Sequence, residues 1–310
     1  MKETLFYAKI LLFGEYGVIK DSKGLLIPHN QFNGSLKISD LTLDSEDQMS
    51  HDRIKEFILF LESVDTKIVD FDWAKIKNDI NRNIYFDSSI PQGYGVGSSG
   101  ALVAAVYERF AKDKITVLEK LTNSKLQKLK LIFSLMESFF HGKSSGLDPL
   151  NSYLSIPILI NSKDEIESTN IPSQNLDGNG AIFLLDSGYE RKTSTMVELF
   201  MNKMKNEFFK KMIKDQFVFN TDKCIRNFLD GNYKNLFYHL KDLSELVFYN
   251  FKPMIPDQYK DLWLNGLNTN SYYLKLCGSG GGGYILGFTQ DWIKAKKELT
   301  SHDLHVIYHF

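Results

Sequence analysis

The chain has 310 residues, 43% of them hydrophobic and 24% charged, with 37 basic against 38 acidic side chains and a formal net charge of −1. That balance excludes a globally basic surface of the kind that holds nucleic acid or an anionic membrane, and the apolar content is that of an ordinary globular protein. The length suits one large domain or two packed ones, and no stretch approaches the roughly 18 uninterrupted apolar residues of a membrane span.

In chain order, TLFYAKILLF (4–13) and LLIPHNQFNGSLKI (25–38) read as strands joined by a glycine-containing turn. The start is apolar, but Lys9, Gly14 and Glu15 interrupt it too early for a signal segment. The acidic stretch DLTLDSEDQMSHD (40–52) reads as a solvated loop, residues 53–63 as a helix and NIYFD (83–87) as a short strand that Pro91 stops. Residues 99–112 carry Leu102, Val103, Val106 and Phe110 on one helical face, and 125–141 form a second strong helix.

AIFLLDSG (181–188) is a strand, followed by a long helical region to about residue 266. The tail reads as two strands about a glycine run, then helix DWIKAKKELT and a last strand. A domain boundary is expected near residue 186, giving units 1–185 and 186–310. The two cysteines, Cys224 and Cys277, are expected to be reduced structural thiols, and the cytoplasm is the expected compartment.

Two glycine loops carry the chemistry. In PQGYGVGSSG (91–100) the residues Gly93, Gly95, Val96, Gly97, Ser98, Ser99 and Gly100 lead straight into a helix. Converging N–H groups and the helix dipole make such a turn a natural grip for phosphate, with Ser98 or Ser99 as helix cap. A serine hydroxyl there can also ligate Mg²⁺. The formal G-x-G-x-x-G pattern is weak, because Ser89–Ile90–Pro91 separates the strand from the first glycine, and no G-x-x-x-x-G-K-[ST] is present. A flexible lead-in to a helix explains the loop equally well. The second run, CGSGGGGY (277–284), has too many glycines for a hairpin turn, which points to close backbone approach to a ligand or to the first loop.

Between the loops lies MESFFHGKSSGLDPLNSY, with Glu137 near a helix end and Asp148 in a turn-rich segment. Phosphoryl transfer needs a Mg²⁺ ligand, a group to take or orient the acceptor proton, and a cation to offset charge. Glu137 with a loop serine can supply the first and Asp148 the second, with Lys9, a lone cation in an apolar strand, beside it. Singly, each has a plain alternative: a solvated helix position, a turn residue and a snorkelling edge-strand charge.

Taken together, AKILLFGEYGVI, PQGYGVGSSGALVAA, ESFFHGKSSGLDPLNSY and LCGSGGGGYILGF resemble, in order, the four motifs of the GHMP kinase superfamily, over residues 8–288. Within it, Glu137, His141–Gly142 and Ser145–Gly146–Leu147–Asp148 look most like the mevalonate kinases. The resemblance implies an α+β, two-lobed GHMP kinase fold, with a ribosomal protein S5 domain 2-like N-terminal lobe and a ferredoxin-like C-terminal lobe. It implies ATP and Mg²⁺, with Asp148 and Lys9 catalytic, Ser99 and Glu137 as metal ligands, and Gly93–Gly100 as the phosphate loop. Glu15, Tyr16, His141, Ser145, Gly280 and Gly281 would be on the substrate side, although for His141 a packed histidine that caps the C-terminus of its helix is the plainer reading.

The expected partner is a small-molecule alcohol, mevalonate first, with phosphomevalonate or a sugar as the alternative on the same scaffold. Neither nucleic acid nor membrane is an expected partner, and the chain would be a monomer or homodimer. The rival class is a non-catalytic nucleotide or ligand binder. Three positions depart from the motifs: Tyr16 stands where His is usual, Ser144 where Pro is usual, and Pro149 where Asn is usual. These bear on the acceptor.

Overall fold

The computed structural model describes residues 4–20, 22–64, 68–118, 120–190 and 193–310. They fold as two compact units. The first comprises the chain through Lys9, Ile27–Gln92 and Val96–Ile156; the second comprises Ile10–Leu26, Gly93–Gly95 and Pro157–Phe310. The first two strands, β1 (Phe6–Phe13) and β2 (Gly24–Ile38), therefore each contribute residues to both units.

In the first unit β2 is followed by α1 (Ser45–Ser63), α2 (Trp73–Asn81), β3 (Ile84–Ser88), α3 (Ser98–Phe110), α4 (Asn123–His141) and α5 (Leu147–Leu154). β3 pairs antiparallel with β2, Leu36 opposite Phe86. α3 is apolar almost all round, and accordingly Ala101, Val103, Ala104 and Val106 are fully buried. Each buried valine of this kind contributes roughly 1.5–3 kcal/mol. On α4 the buried stripe Leu126, Leu129, Phe133, Met136 and Glu137 has helical spacing, so Glu137 lies on the inward face.

Two elements differ from the sequence expectation. Residues 45–52 are the start of α1, not a solvated loop: Asp44 caps the helix by accepting from the Asp47 N–H at 2.9 Å, and Glu46 and Asp47 sit in the first turn, where the dipole favours negative charge. The acidity that suggested a loop is the signature of the helix start. Asp148, in turn, stands in the first turn of a helix, because Gly146 in left-handed conformation (φ 71°) starts α5 and Leu147, Leu150 and Leu154 give it an apolar face.

The second unit contains β4 (Ile158–Ile160) and β5 (Ile166–Ser168), which pair antiparallel, β4 also pairing with Gly24–Leu26 of β2. Beyond them come β6 (Ala181–Asp186), α6 (Thr193–Lys203), α7 (Glu207–Met212), α8 (Val218–Leu229), α9 (Tyr233–Asn250), α10 (Lys260–Thr269), β7 (Tyr273–Leu276), β8 (Tyr284–Thr289), α11 (Trp292–Glu298) and β9 (Leu304–His309). The last four strands form one antiparallel sheet in the order β7-β8-β6-β9. The sequence of elements, strand–helices–strand–strand–helix–strand, is the ferredoxin-like arrangement expected for the C-terminal lobe. Cys224 and Cys277 are buried free thiols, and burial raises the Cys224 pKa. Among the described residues no helix is long and apolar enough to cross a membrane.

Candidate active site

The N-terminus of α3 is where the first unit gathers its chemistry. Gly97 caps the helix from the left-handed region (φ 86°) with no side-chain hydrogen bond, so neither Ser98 nor Ser99 is the cap. Both serines lie one and two residues inside, which frees their hydroxyls for other partners. The first intrahelical bond runs from the Ala101 N–H to the Gly97 carbonyl at 2.9 Å, so the N–H groups of Ser98, Ser99 and Gly100 lie ahead of the helical ladder.

Two glycines of the loop are required by what they touch. A Cβ at Gly97 would stand 2.9 Å from the Lys9 Cγ, and one at Gly100 would stand 2.8 Å from the Pro149 nitrogen and 3.0 Å from the Asp148 Cβ. Glycine at these places lets α3 start directly against β1 and α5. The loop is also tied to β1 by the Lys9 N–H, which donates to the Val96 carbonyl at 2.9 Å.

This packing sets up two polar pairs. Lys9 Nζ lies 2.8 Å from Asp148 Oδ1, the lysine side chain 5% exposed and the aspartate 37%. Ser99 Oγ donates to Glu137 Oε1 at 3.3 Å and lies 3.0 Å from His141 Nε2. His141 is in the last turn of α4, one turn after Glu137 on the same face. Ser144 Oγ donates to the other Glu137 oxygen in a short hydrogen bond. Ser145 Oγ accepts from the Leu147 N–H at 3.4 Å, in the turn that opens α5.

Glu137 is buried, and its pKa is pushed up to about 8. Burial is the main cause and the charge of Asp148 adds to it, against the opposing pull of Ser144, Lys9 and Ser99. A carboxylate whose charged form is disfavoured by burial gains from a cation beside it. With the Ser99 hydroxyl beside it, this is a donor set that suits Mg²⁺, which takes one or two protein oxygens and completes its shell with water and phosphate. Among the described residues there is no group of three or more His, Cys, Asp or Glu that would make a closed all-protein metal site.

The remaining candidates lie in the second unit. Glu15 Oε1 accepts from Lys275 Nζ at 2.5 Å, and both side chains are buried. Tyr16 adopts a positive φ of 60°, stacks on Phe200 at 4.5 Å and donates its hydroxyl to the Ser279 carbonyl at 2.5 Å. In the second glycine run, the Gly281 N–H donates to the Met254 carbonyl at 2.6 Å and the Gly283 N–H to the Tyr189 carbonyl at 2.6 Å. Tyr284, directly after the run, packs edge-on against Tyr94 at 5.0 Å, and a Cβ at Gly283 would stand 2.6 Å from the Tyr94 Cα, so the run's backbone approaches a residue of the first loop. Gly280 lies against the same Met254 carbonyl.

The sequence groups Lys9, Ser99, Glu137 and Asp148, and the structure places all four about the start of α3, with His141 beside Ser99. The sequence reading missed Ser144 as a partner of Glu137 and Lys275 as the partner of Glu15. Lys275 was detectable, as a lone cation in the apolar strand YLKL, the signal that singled out Lys9.

Residues 66–155 match the GHMP kinases N terminal domain. No curated protein sequence matches the chain. Among solved structures, a mevalonate kinase of L. major in complex with R-mevalonate is 15% identical, covering 97% of this chain and 92% of its own, with a TM-score of 0.65. A Streptococcus pneumoniae phosphomevalonate kinase is 13% identical over 99% of this chain and 98% of its own, TM-score 0.63. A Lactococcus lactis galactokinase complexed with galactose is 11% identical over 98% and 92%, TM-score 0.62. The chain thus has the GHMP kinase fold, with a match to that family's N-terminal domain over residues 66–155.

Proposed function

We propose that the chain transfers the γ-phosphoryl group of ATP to a small-molecule alcohol, with the primary hydroxyl of mevalonate as the acceptor. The observation that carries this reading is the meeting of Lys9–Asp148 and Ser99–Glu137 at the start of α3. A binder needs an anion-holding turn; it does not need a lysine-paired carboxylate packed against that turn.

The resemblance suggests the roles, and the geometry supports them. The N–H groups of Ser98, Ser99 and Gly100 receive phosphate oxygens of the donor, with Val96 and Gly97 shaping the approach. Asp148, only 37% exposed yet accessible, accepts or orients the acceptor's hydroxyl proton. Lys9 offsets the negative charge that collects as nucleophile and phosphoryl group meet. Ser99 and Glu137 would hold Mg²⁺, which would supply charge neutralisation of the phosphates. His141, within hydrogen-bond reach of Ser99, and Ser145, at the start of α5, are assigned to the acceptor side on the resemblance of their motif.

Mevalonate is favoured among acceptors by the likeness of Glu137, His141–Gly142 and Ser145–Gly146–Leu147–Asp148 to the mevalonate kinases. ADP release measured across mevalonate, phosphomevalonate, homoserine, galactose and related sugars tests this. Turnover greatest with mevalonate is expected. Turnover of another member alone would move the acceptor, and turnover of none would remove the kinase reading.

A further inference from the structure

Glu137 is gripped at both oxygens, and by residues of different elements: Ser99 from the first turn of α3, Ser144 from the loop between α4 and α5. The last torsion of a glutamate is broad and roughly two-fold, so one hydrogen bond leaves the carboxylate plane poorly set. The second bond decides it. The Ser144 side is itself held in two ways: the Gly146 N–H donates to Ser144 Oγ at 3.0 Å, and Ser134 Oγ donates to the Ser144 carbonyl at 2.6 Å. Gly146 closes against α4 so tightly that a Cβ there would stand 2.1 Å from the Lys130 carbonyl oxygen.

We propose that Ser144 is a positioning residue for the metal-binding carboxylate. Its hydroxyl, oriented by the Gly146 N–H, fixes Glu137 Oε2 and thereby turns Oε1 toward Ser99. The inference rests on the reading of Ser99 and Glu137 as the Mg²⁺ site. Mg²⁺ demands near-ideal octahedral geometry, and partners that orient a ligating group typically govern metal affinity by about 10–100-fold.

The test is direct binding of Mn²⁺, as a paramagnetic substitute, to the full chain with a non-hydrolysable ATP analogue, read by the loss of free-ion signal. Ser144→Ala is expected to weaken Mn²⁺ binding about 10-fold or more, and Ser144→Thr, which keeps the hydroxyl, to restore most of it. Ser134→Ala removes the other anchor of the same loop without touching Glu137, and is expected to leave Mn²⁺ affinity unchanged within about two-fold. If Ser144→Ala does not fold, Ser144→Cys, of similar size and a weaker donor, gives the same comparison. Equal loss in Ser134→Ala and Ser144→Ala would mean loop anchoring alone and would overturn the proposal, as would an unchanged affinity in Ser144→Ala. A wild-type chain that binds no Mn²⁺ with nucleotide fails before any variant is made; that outcome removes the metal site itself, and the role of Ser144 with it.

Discussion

Two lysines stand alone in apolar strands, and each faces a carboxylate. In the first unit Lys9 of β1 meets Asp148 at 2.8 Å; in the second unit Lys275 of β7 meets Glu15 at 2.5 Å. The lysines are equally buried, at 5% and 4%, and the difference lies in the acids: Asp148 is 37% exposed and Glu15 only 5%. An ion pair buried at both ends bears two desolvation costs and suits the fixing of one arrangement; with Phe13 also under the Lys275 ammonium at 5.7 Å, this pair is closed. A pair open at the carboxylate can exchange solvent for a reactant. The same sequence signature therefore produces a closed pair in one unit and, in the other, a pair open to solvent that the proposed function makes the reactive one.

The sharpest way to break the comparison is to remove the acid of the closed pair. Glu15→Leu takes away the carboxylate that Lys275 faces and is expected to cost about 3–5 kcal/mol, seen as a lower urea midpoint. A chain of wild-type stability with a raised KM would instead make Glu15 a substrate contact.

A smaller effect concerns Glu137. With its pKa pushed up to about 8 from the ordinary 4.5, the metal-free fold holds a proton there at pH 7 that the unfolded chain has lost. Between those values the native state binds more protons, so stability of the metal-free protein falls as pH rises through that window. Mg²⁺ binding at pH 7 should then expel up to about one proton. Calorimetry in buffers of different ionisation enthalpy reads this, and binding without proton release would contradict the Glu137 assignment.

Much of this arrangement was legible in the sequence, for identifiable reasons. The phosphate loop, Glu137 and Asp148 lie in short segments whose residue types and order are distinctive, and the alternation of the tail anticipated the four-stranded sheet. What was not legible depends on contacts made across the fold. Ser144 read only as a departure from a motif, since nothing local says that its hydroxyl meets a glutamate seven residues earlier. The 45–52 segment was misread because acidic residues mark both solvated loops and helix starts, and only the Asp44 cap separates the two. Lys275 stands out locally as a lone cation in an apolar strand, but its pairing with Glu15, 260 residues away, and that of Tyr16 with Ser279, 263 residues away, are beyond the reach of any local pattern.

The central claim is that the open pair does chemistry, and Asp148→Asn tests it most directly. Asparagine keeps the shape but cannot take a proton. Transfer of the γ-phosphoryl group in a single turnover, measured together with nucleotide affinity on the same sample, should fall by about 10²–10⁴-fold while ATP binding changes little. Undiminished transfer in Asp148→Asn would contradict the account.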